Sequence, residues 1–405
     1  MTNVGMVTNI PRVLLVTPQP FYEDRGTPIA VRYVAQALSE LGACVDILAF
    51  PVGRSVAIPR VTIMRCSNPM HLKQVPVGFS WRKIVLDATL LQAFRRLVHG
   101  GKYHIVHAVE EAAYMASAIC PPAGQPFIYD MASAIPMELR RNALFATGLI
   151  QRMLSVAERW VISHASRVVC SSGLAGYVSH QVPDARVREW PYPAYAERVE
   201  HSRVLELRKK LNIPPEQRVL LYSGNFAAYQ GVELLLEAFR LARRTCPELT
   251  LVCVGATDKE YAAFSAATAT EDQIVVLRRQ PRDQIPVYMA LADFLVLPRV
   301  DADNVPLKLF DYMASGTPII ATRGPAHEPL LDESRAFMCD PTAEGLSSAL
   351  VRACASRERS DAMARAARSY AMEHFGWDRF VAFVRTTYID ALGEARERVW
   401  QSPMA

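Results

Sequence analysis

The stretch RVLLVTPQPFYEDRGTPIAVRYVAQALSELGACVDILAF, residues 12–50, contains three structural elements in a row. Residues 12–17 form a short apolar run, which is typical of a strand buried on both faces. In residues 29–41 the apolar side chains recur at helical spacing, and Gly42 then supplies a C-terminal cap. Cys44–Phe50 predicts a second strand. Strand, helix, strand is the repeating unit of a parallel sheet, so we expect a doubly wound α/β fold.

The same alternation continues along the chain in two series, which a proline-rich connector over residues 181–196 separates. Two such series predict two Rossmann-like domains that face each other across a cleft, with a ligand at the carboxyl ends of the strands. Further strands are predicted at 103–108, 126–129, 167–170, 218–222, 249–254, 274–277, 294–297 and 318–321, and further helices at 82–98, 109–119, 135–164 and 232–245.

The composition excludes several classes of protein. Of the 405 residues, 51% are hydrophobic and 21% are charged, so the chain can bury two cores and is not disordered. The net charge of +5 comes from basic residues interspersed with acidic ones, which argues against a nucleic-acid-binding protein. The eight cysteines include no C-x-x-C pair, as expected for reduced thiols. Because no apolar stretch of about 18 residues and no signal-peptide pattern occur, we expect a cytoplasmic protein, with peripheral contact to the inner face of a membrane left open.

A second stretch, VLPRVDADNVPLKLFDYMASGTPIIAT (residues 296–322), carries the strongest functional pattern. A predicted strand ends at Leu297, and Asn304 is placed as the N-cap of a helix that has Pro306 in its first turn and ends at Gly316. The start of such a helix presents free N–H groups and the positive end of its dipole. Both favour a bound anion.

Two charged side chains share one face of this helix, because Lys308 and Asp311 are three residues apart. A lysine beside a diphosphate, with a carboxylate that accepts hydrogen bonds from ribose hydroxyls, would hold a nucleoside diphosphate. Asp303, eight residues before Asp311, would then meet the attached sugar. The alternative is that Asp303 is a loop carboxylate favoured by the helix dipole and that Lys308 is a solvated side chain.

This stretch resembles the E-x7-E signature of family 4 glycosyltransferases of the GT-B fold, with aspartate at both glutamate positions. YSGNFAAYQGVELLLEAF (residues 222–239) and LVCVG (residues 251–255) are similar to the elements that open the second domain of that family. The resemblance covers nearly the whole chain. It implies an N-terminal acceptor domain over residues 1–192, a C-terminal nucleotide-sugar donor domain over 197–370, and C-terminal helices over 371–405 that pack back toward the first domain.

The resemblance also implies roles for individual residues. Many relatives bind the diphosphate with an arginine and a lysine, but Asn225 and Gln230 stand at those positions here, so Lys308, Arg299 and the helix N-terminus would supply more of the positive charge. A simple turn is the alternative for Gly224 and Asn225. The implied catalytic residues are Asp303 and Lys308, and the implied donor-binding residues are Gly26, Thr27, Gly224, Asn225, Gln230, Arg299, Asn304, Val305, Pro306, Leu307 and Asp311.

The loop TPQPFYEDRGTP (residues 17–28) after the first strand corresponds to a glycine-containing loop of the family that approaches the donor phosphate and the acceptor. Gly26 would permit close backbone approach and Arg25 would reach an anion, and the alternative is a plain surface loop. The loop lacks the G-x-G-x-x-G pattern, which argues against a nicotinamide-dependent enzyme.

The acceptor is expected near the ends of two further strands of the first domain. His107 and Glu110 would line its pocket, although a histidine at a strand end is as often structural. Many relatives carry a histidine near Ala132 that touches the donor sugar, so Ser133 or His107 would have to position the sugar here. The implied acceptor residues are Arg25, His107, Glu110 and Ser133.

The stretch WRKIVLDATLLQAFRRLV (residues 81–98) is basic and amphipathic. It would rest on an anionic membrane surface where lipid-linked acceptors lie. The alternative is that its apolar face packs on its own sheet.

The resemblance implies a retaining glycosyltransferase of glycan or polysaccharide synthesis, which moves a sugar from a nucleoside-diphosphate sugar to an acceptor hydroxyl without a cofactor or an obligatory metal ion. Residues 301–303 spell D-x-D, the metal motif of the other major glycosyltransferase fold, but their place before a helix fits the metal-free interpretation better. Two alternatives remain open: a nucleotide-sugar epimerase on the same fold, and a non-catalytic relative that acts as a binding partner.

Overall fold

Two parallel sheets, one in each structural unit, form the framework of the chain. The computed structural model describes residues 11–75, 80–140, 147–171, 173–195, 197–300, 305–325 and 327–393. One unit consists of Met1–Pro191 and Asp378–Ala405, and the other of Tyr192–Trp377. The first unit is therefore discontinuous in sequence.

The first sheet has seven strands in the order β3-β2-β1-β4-β5-β6-β7, and every described pairing is parallel. The strand order reverses direction after β1, as in doubly wound Rossmann-like sheets. The strands are β1 (Arg12–Pro20), β2 (Cys44–Phe50), β3 (Val61–Arg65), β4 (Ile105–Val109), β5 (Phe127–Met131), β6 (Arg167–Cys170) and β7 (Val187–Glu189). The helices are α1 (Gly26–Glu40), α2 (Trp81–His99), α3 (Ala112–Ile119), α4 (Ile135–Arg140), α5 (Gly148–His164), α6 (Ala175–Gln181) and, from the C-terminal part, α14 (Trp377–Leu392).

The second sheet has six parallel strands in the order β10-β9-β8-β11-β12-β13, which repeats the same reversal. Its strands are β8 (Arg218–Ser223), β9 (Leu249–Ala256), β10 (Ile274–Arg278), β11 (Phe294–Leu297), β12 (Ile319–Thr322) and β13 (Phe337–Cys339). Its helices are α7 (His201–Lys210), α8 (Val232–Ala242), α9 (Asp258–Ala267), α10 (Ile285–Leu291), α11 (Leu307–Ser315), α12 (Ala343–Ala355) and α13 (Arg357–His374).

Burial explains why short apolar runs became strands. The β1 residues Val13, Leu14, Leu15 and Val16 are fully buried, as is the whole of β4, because helices cover both faces of the sheet. In α2 the stripe Leu86, Leu90, Phe94 and Val98 packs into the core of the first unit. The apolar face of this basic helix therefore rests on its own sheet.

The predicted strands at 44–50, 167–170 and 294–297 have the observed bounds. The predicted helix 135–164 is instead two helices, α4 and α5, with residues 141–146 outside the described part. The connector at 181–196 carries the three-residue strand β7, and β3, β7 and β13 are edge elements that the sequence did not predict. The strands β7 and β13 have three residues each, and β3 is partly exposed. Each therefore shows only a weak sequence pattern of a buried strand.

The helix α14 belongs to the first unit, although it follows the whole of the second unit in sequence. Its buried residues include Phe380, Val384 and Tyr388. The ring of Phe380 lies 5.6 Å from that of Trp190, which follows β7, so this packing joins the last described helix to the end of the first sheet.

Candidate functional site

The carboxyl ends of β8, β11 and β12 lie next to each other, because these strands are neighbours in the second sheet. In doubly wound sheets, ligands bind at this edge, near the point where the strand order reverses. Gly224 directly follows β8, Arg299 lies two residues after β11, and α11 connects β11 to β12.

Lys308, in the first turn of α11, is the central cation of this edge. Its Nζ donates a hydrogen bond to Gln230 Oε1 at 3.1 Å and lies 4.2 Å from the centre of the Tyr222 ring. It forms no ion pair with any residue that the structure describes. Burial, followed by the charge of Arg299, holds the pKa of Lys308 well below its usual range. A bound anion would compensate for the lost hydration of the Lys308 ammonium group and for its repulsion by Arg299.

Two glycines make room for this arrangement. A Cβ at Gly224, which has φ +152°, would lie 2.7 Å from Lys308 Nζ and 3.0 Å from the Tyr222 hydroxyl oxygen. Gly231 has φ +70° at the start of α8, and a Cβ there would lie 1.9 Å from the carbonyl oxygen of Pro298. A side chain at position 224 would displace the Lys308 amine or the Tyr222 hydroxyl, and one at position 231 would displace the Pro298 backbone that precedes Arg299.

Arg299 brings a second positive charge to the same edge. The side chain is buried, and its guanidinium carbon lies 5.4 Å from the centre of the Tyr229 ring. The Thr322 hydroxyl at the end of β12 donates to the backbone oxygen of Arg299 at 2.6 Å. The ends of β11 and β12 are thereby tied together, which fixes the backbone that carries Arg299.

His327 is a residue of this edge that the sequence analysis missed. Its Nδ1 lies 2.7 Å from the backbone oxygen of Thr322, which can only accept, so Nδ1 carries the hydrogen and Nε2 is an acceptor. The side chain is 1% exposed, and Nε2 has no hydrogen-bond partner among the described residues. Burial, with smaller contributions from the charges of Arg299 and Lys308, lowers the pKa of His327 to about 4. The imidazole is therefore neutral, with a lone pair available to a ligand hydroxyl. Its position in ATRGPAHE (residues 321–328), shortly after a strand end, was the clue available in the sequence.

Asp311 lies one helical turn after Lys308 but contacts different groups. Its Oδ2 accepts from Arg282 Nη2 at 3.3 Å, and the backbone N–H of Tyr195 also donates to the carboxylate. Burial raises the pKa of Asp311 to about 6, and Arg282 opposes this shift. The partner Arg282 was not predicted.

The start of α11 differs from the expectation. The helix begins at Leu307 with Pro306 as its N-cap, so Pro306 is not inside the first turn and Asn304 is not the N-cap. Proline has no side chain that can accept a hydrogen bond, and the cap of α11 is made without one. Val305 is buried ahead of the helix. The predicted residues Asp303 and Asn304, with Asp301, lie outside the described residues.

The two amides predicted to bind the diphosphate are engaged within the protein. Asn225 is exposed, and its Oδ1 accepts from the Ala227 N–H at 3.2 Å, as in the simple turn that was the alternative interpretation. Gln230 is buried, and its Oε1 accepts from Lys308 and, at 3.4 Å, from the Tyr222 hydroxyl. Gln230 therefore positions the lysine amine.

In the first unit, the predicted loop over Gly26 and Thr27 is the first turn of α1, and Arg25 is its N-cap. Arg25 Nη1 lies 3.2 Å from Glu23 Oε2, so its charge is already paired. Gly26 is exposed, and a Cβ there would meet no atom within 4 Å. The backbone at Gly26 is thus open at the carboxyl end of β1.

Glu110 directly follows β4 and has a positive φ of 49°, which is uncommon for a residue other than glycine. Its Oε2 accepts from Gln19 Nε2 at 2.5 Å, which links the ends of β4 and β1. Ser133 is half-buried in the bend after β5. Residues with an uncommon backbone conformation, such as Glu110, often occur at binding sites.

The prediction that His107 lines an acceptor pocket is wrong. The ring is fully buried, with Nε2 3.1 Å from Asp130 Oδ2 and Nδ1 2.8 Å from the Tyr388 hydroxyl oxygen. Trp190 Nε1 donates to the other oxygen of Asp130 at 2.7 Å. The reason is α14, which covers His107 with Tyr388 and makes it part of the core.

One group of potential metal ligands occurs among the described residues, and it consists of Cys246, Glu248 and Cys354. It lies at the opposite, amino edge of the second sheet, where Arg218 begins β8 and lies 4.0 Å from Glu248. Burial raises the pKa of Cys354 to about 12, which disfavours the thiolate that a metal needs. This group is therefore separate from the site around Lys308.

Two family models match the chain. The model described as glycosyl transferases group 1 matches residues 204–370, and the glycosyl transferase 4-like domain matches residues 25–193. Between them these matches include most of both units.

Individual proteins are similar at lower identity. The lipopolysaccharide 1,2-N-acetylglucosaminetransferase of Salmonella typhimurium is 25% identical over 226 residues, which are 53% of this chain and 59% of that protein. The chain spans about half the length of the curated relatives it matches.

Solved structures share the fold. Sucrose-phosphate synthase of Thermosynechococcus elongatus has a TM-score of 0.75 at 18% identity, over 93% of this chain and 98% of that one. HepE of Anabaena, in complex with UDP-glucose, has a TM-score of 0.71 at 15% identity, over 93% and 99% of the two chains.

Proposed function

Because the chain belongs to the group 1 glycosyltransferases and has the GT-B fold, we propose that it moves a sugar from a nucleoside-diphosphate sugar to an acceptor hydroxyl. The transfer retains the configuration at the sugar carbon and needs no metal ion. The acceptor is a hydroxyl of a glycan, a lipid-linked glycan or a small molecule, and the protein acts in polysaccharide synthesis in the cytoplasm.

The observation that carries this proposal is the environment of Lys308. A buried cation is stable only when an anion or several hydrogen bonds compensate for its lost hydration. The described contacts of Lys308 are a neutral amide and an aromatic ring, and Arg299 adds a second positive charge. A diphosphate at this edge of the sheet would compensate the charge of Lys308, and this is the group that a sugar-nucleotide donor supplies.

The same residues account for the chemistry of transfer. Negative charge develops on the leaving diphosphate in the transition state, and preorganised cations and N–H groups stabilise it. Lys308, Arg299 and the N–H groups at the start of α11 provide this stabilisation in the proposal. The attacking hydroxyl approaches on the face from which the diphosphate departs.

Two further residues hold the donor in place. The ribose hydroxyls donate to the carboxylate of Asp311, which Arg282 keeps largely ionised at neutral pH despite burial. Nε2 of His327, which has no hydrogen-bond partner in the described part of the chain, accepts from another hydroxyl of the donor. Asp303 contacts the transferred sugar, as the family signature implies.

Structures of similar fold support the choice of donor. HepE of Anabaena has been solved with UDP-glucose, and the similar Salmonella protein is named for transfer of N-acetylglucosamine. A nucleoside-diphosphate sugar is therefore the first class of ligand to test.

Thermal unfolding in the presence of UDP, GDP, ADP and TDP, each with its sugars, tests the proposal. A ligand at about 100 times its dissociation constant adds roughly 2.7 kcal/mol of stability. The nucleotide whose base the protein recognises should therefore raise the unfolding temperature clearly. Lys308→Met should abolish this rise, whereas Lys209→Met, at an exposed lysine of α7, should leave it unchanged. If no nucleotide stabilises the wild-type protein, the donor site is refuted.

A non-catalytic binding protein is the second candidate, because the Asn225 side-chain oxygen is engaged in a turn and the Ala132 side chain cannot form a hydrogen bond. Such a protein would bind the nucleotide but release no free nucleoside diphosphate with any donor and acceptor. An epimerase would consume the donor without an acceptor and also without that release. Product analysis by chromatography distinguishes the three.

A further inference from the structure

The helix α5 presents a row of large apolar side chains to solvent. Leu149 is 72% exposed, Met153 65%, Val156 56% and Trp160 56%. The spacing of 4, 3 and 4 residues places the four side chains on one face of the helix, within an arc of about 60° at 100° per residue. We call these four residues the α5 stripe.

The opposite face of α5 anchors the helix in the first unit. Glu158, Val161 and Ile162 are its buried residues, and Glu158 Oε1 accepts from the Ile135 N–H at 3.2 Å. Tyr177 also donates to the Glu158 carboxylate. The contacts of this buried face fix the orientation of α5. The α5 stripe is exposed because it lies on the opposite side of the helix.

The charges beside the α5 stripe have one sign. Arg152 and Arg159 are exposed and lie along one flank of the stripe. The acidic residue of α5 is Glu158, which is buried on the far side. The His164 ring stacks on Trp160 with 3.9 Å between the ring centres. The exposed face of α5 thus combines a wide apolar strip, an indole and two arginines, without an acidic group.

We propose that the α5 stripe docks the protein on an anionic lipid surface. The four apolar side chains enter the boundary between headgroups and acyl chains, Trp160 lies at that boundary, and Arg152 and Arg159 pair with lipid phosphates. This surface goes beyond the proposed sugar transfer and does not depend on it.

Charge complementarity favours a lipid surface over a second copy of the chain. A second copy would bring the same two arginines and no acidic partner from this face of α5, so like charges would oppose its association. Anionic headgroups provide the missing negative charge.

The geometry also defines the mode of contact. None of the helices in the described residues is long and apolar enough to cross a bilayer. Because Glu158, Val161 and Ile162 hold the other face of α5 in the first unit, the docked helix lies in the plane of the interface. The helix α2, which also carries exposed Trp81 and Ile84 and basic Arg95 and Arg96, is the matched comparison, because its main apolar stripe is buried in the core.

Sedimentation of the full chain with vesicles tests the proposal, without any substrate. The protein should bind vesicles of phosphatidylcholine mixed with phosphatidylglycerol and should bind pure phosphatidylcholine much less. Met153→Glu with Val156→Glu should lower the bound fraction by roughly tenfold or more, because charges enter the apolar boundary. Arg152→Gln with Arg159→Gln should weaken binding to the anionic vesicles by about fivefold for each arginine.

The control variants are Arg95→Gln with Arg96→Gln, and Trp81→Ser with Ile84→Ser, both on α2. They should bind like the wild-type protein, and all variants should keep the wild-type unfolding temperature because every changed position is exposed. Loss of binding in the α2 variants alone would move the contact to α2 and overturn the proposal. A wild-type protein that ignores anionic vesicles would also overturn it, and a concentration-dependent dimer that the α5 variants dissociate would assign the stripe to a second copy. Nucleotide-induced stabilisation is measured separately, so failure of the donor site leaves this test intact.

Discussion

The Lys308 ammonium group donates to Gln230 Oε1 at 3.1 Å, so the cation at the carboxyl edge of the second sheet contacts a neutral amide. The family resemblance implies a positive side chain at the position of Gln230. In this chain the amide orients the lysine and leaves its charge uncompensated by the described residues. The affinity for a diphosphate is therefore expected to depend strongly on the charge at position 230.

Gln230→Glu should pair with Lys308 and repel a bound diphosphate. We expect nucleotide affinity to fall by about tenfold, equivalent to ~1.4 kcal/mol, as measured by isothermal titration calorimetry. The uncharged control Gln230→Met removes the acceptor without adding charge and should stay within about threefold of wild type. Equal affinity of Gln230→Glu and wild type would show that Lys308 does not contact the nucleotide.

Gly224→Ala should displace the Lys308 amine, because the added Cβ would lie 2.7 Å from Nζ at a positive φ. We expect a loss of about 1–2 kcal/mol in the free energy of unfolding, together with weaker nucleotide binding. The control is Gly176→Ala in α6, where a Cβ meets no atom within 4 Å, and it should be neutral or slightly stabilising. Urea unfolding and calorimetry measure the two effects, and a fully stable Gly224→Ala with normal affinity would contradict the packing argument.

The pH dependence of stability should reveal His327. Its pKa is lowered from 6.5 to about 4 in the folded state, so the unfolded chain binds the proton more tightly and stability is lost as pH falls between these values. The stability difference between wild type and His327→Gln should shrink by about 3 kcal/mol from pH 7 to pH 4. The comparison of variants is needed because burial raises the pKa of Asp311 and Glu158 and gives those residues the opposite dependence. If the stability difference between wild type and His327→Gln does not change with pH, His327 is in contact with solvent in the folded protein.

Tyr388→Phe should destabilise the first unit. It removes the hydroxyl that meets His107 Nδ1 at 2.8 Å and leaves a buried nitrogen without its partner. The expected cost is about 1–3 kcal/mol in the free energy of unfolding, measured in urea. Tyr261→Phe, which keeps its ring against Arg278, is the control and should change stability by less than about 0.5 kcal/mol. A neutral Tyr388→Phe would show that the hydrogen bond does not stabilise the unit.

Removal of metal ions should leave turnover unchanged. In the proposal, the diphosphate charge is met by Lys308, Arg299 and the start of α11, so treatment with a chelator should not slow nucleotide release from a donor. Loss of activity on chelation and recovery with manganese would instead assign a metal-binding role to Asp301 and Asp303.

The parts of the structure that depend on local pattern were predictable. Phe294–Leu297 is a continuous apolar run, Cys44–Phe50 is interrupted only by Asp46, and burial on both faces makes such runs strands irrespective of distant contacts. Lys308 was also predictable, because a lysine in the first turn of a helix that follows a buried strand must lie at the ligand-binding edge of the sheet.

The parts that depend on distant contacts were not predictable. His107 became a core residue because Tyr388, 281 residues later in the chain, covers it. Gln230 accepts from Lys308, and Asp311 pairs with Arg282, through contacts that the sequence does not encode as a local pattern. His327 was not predicted because its proposed role rests on a nitrogen without a hydrogen-bond partner among the described residues, which is visible only when burial and hydrogen bonds are known.

The late position of α14 has a consequence for biosynthesis. His107, Asp130 and Trp190 are made early, but the helix that closes over them is translated only after the whole second unit. While the ribosome extends residues 192–377, His107 lacks the hydroxyl of Tyr388, and the first unit lacks the packing of α14. A nascent chain released before residue 378 therefore carries an unfinished first unit, and completion of that unit waits for the synthesis of residues 378–392.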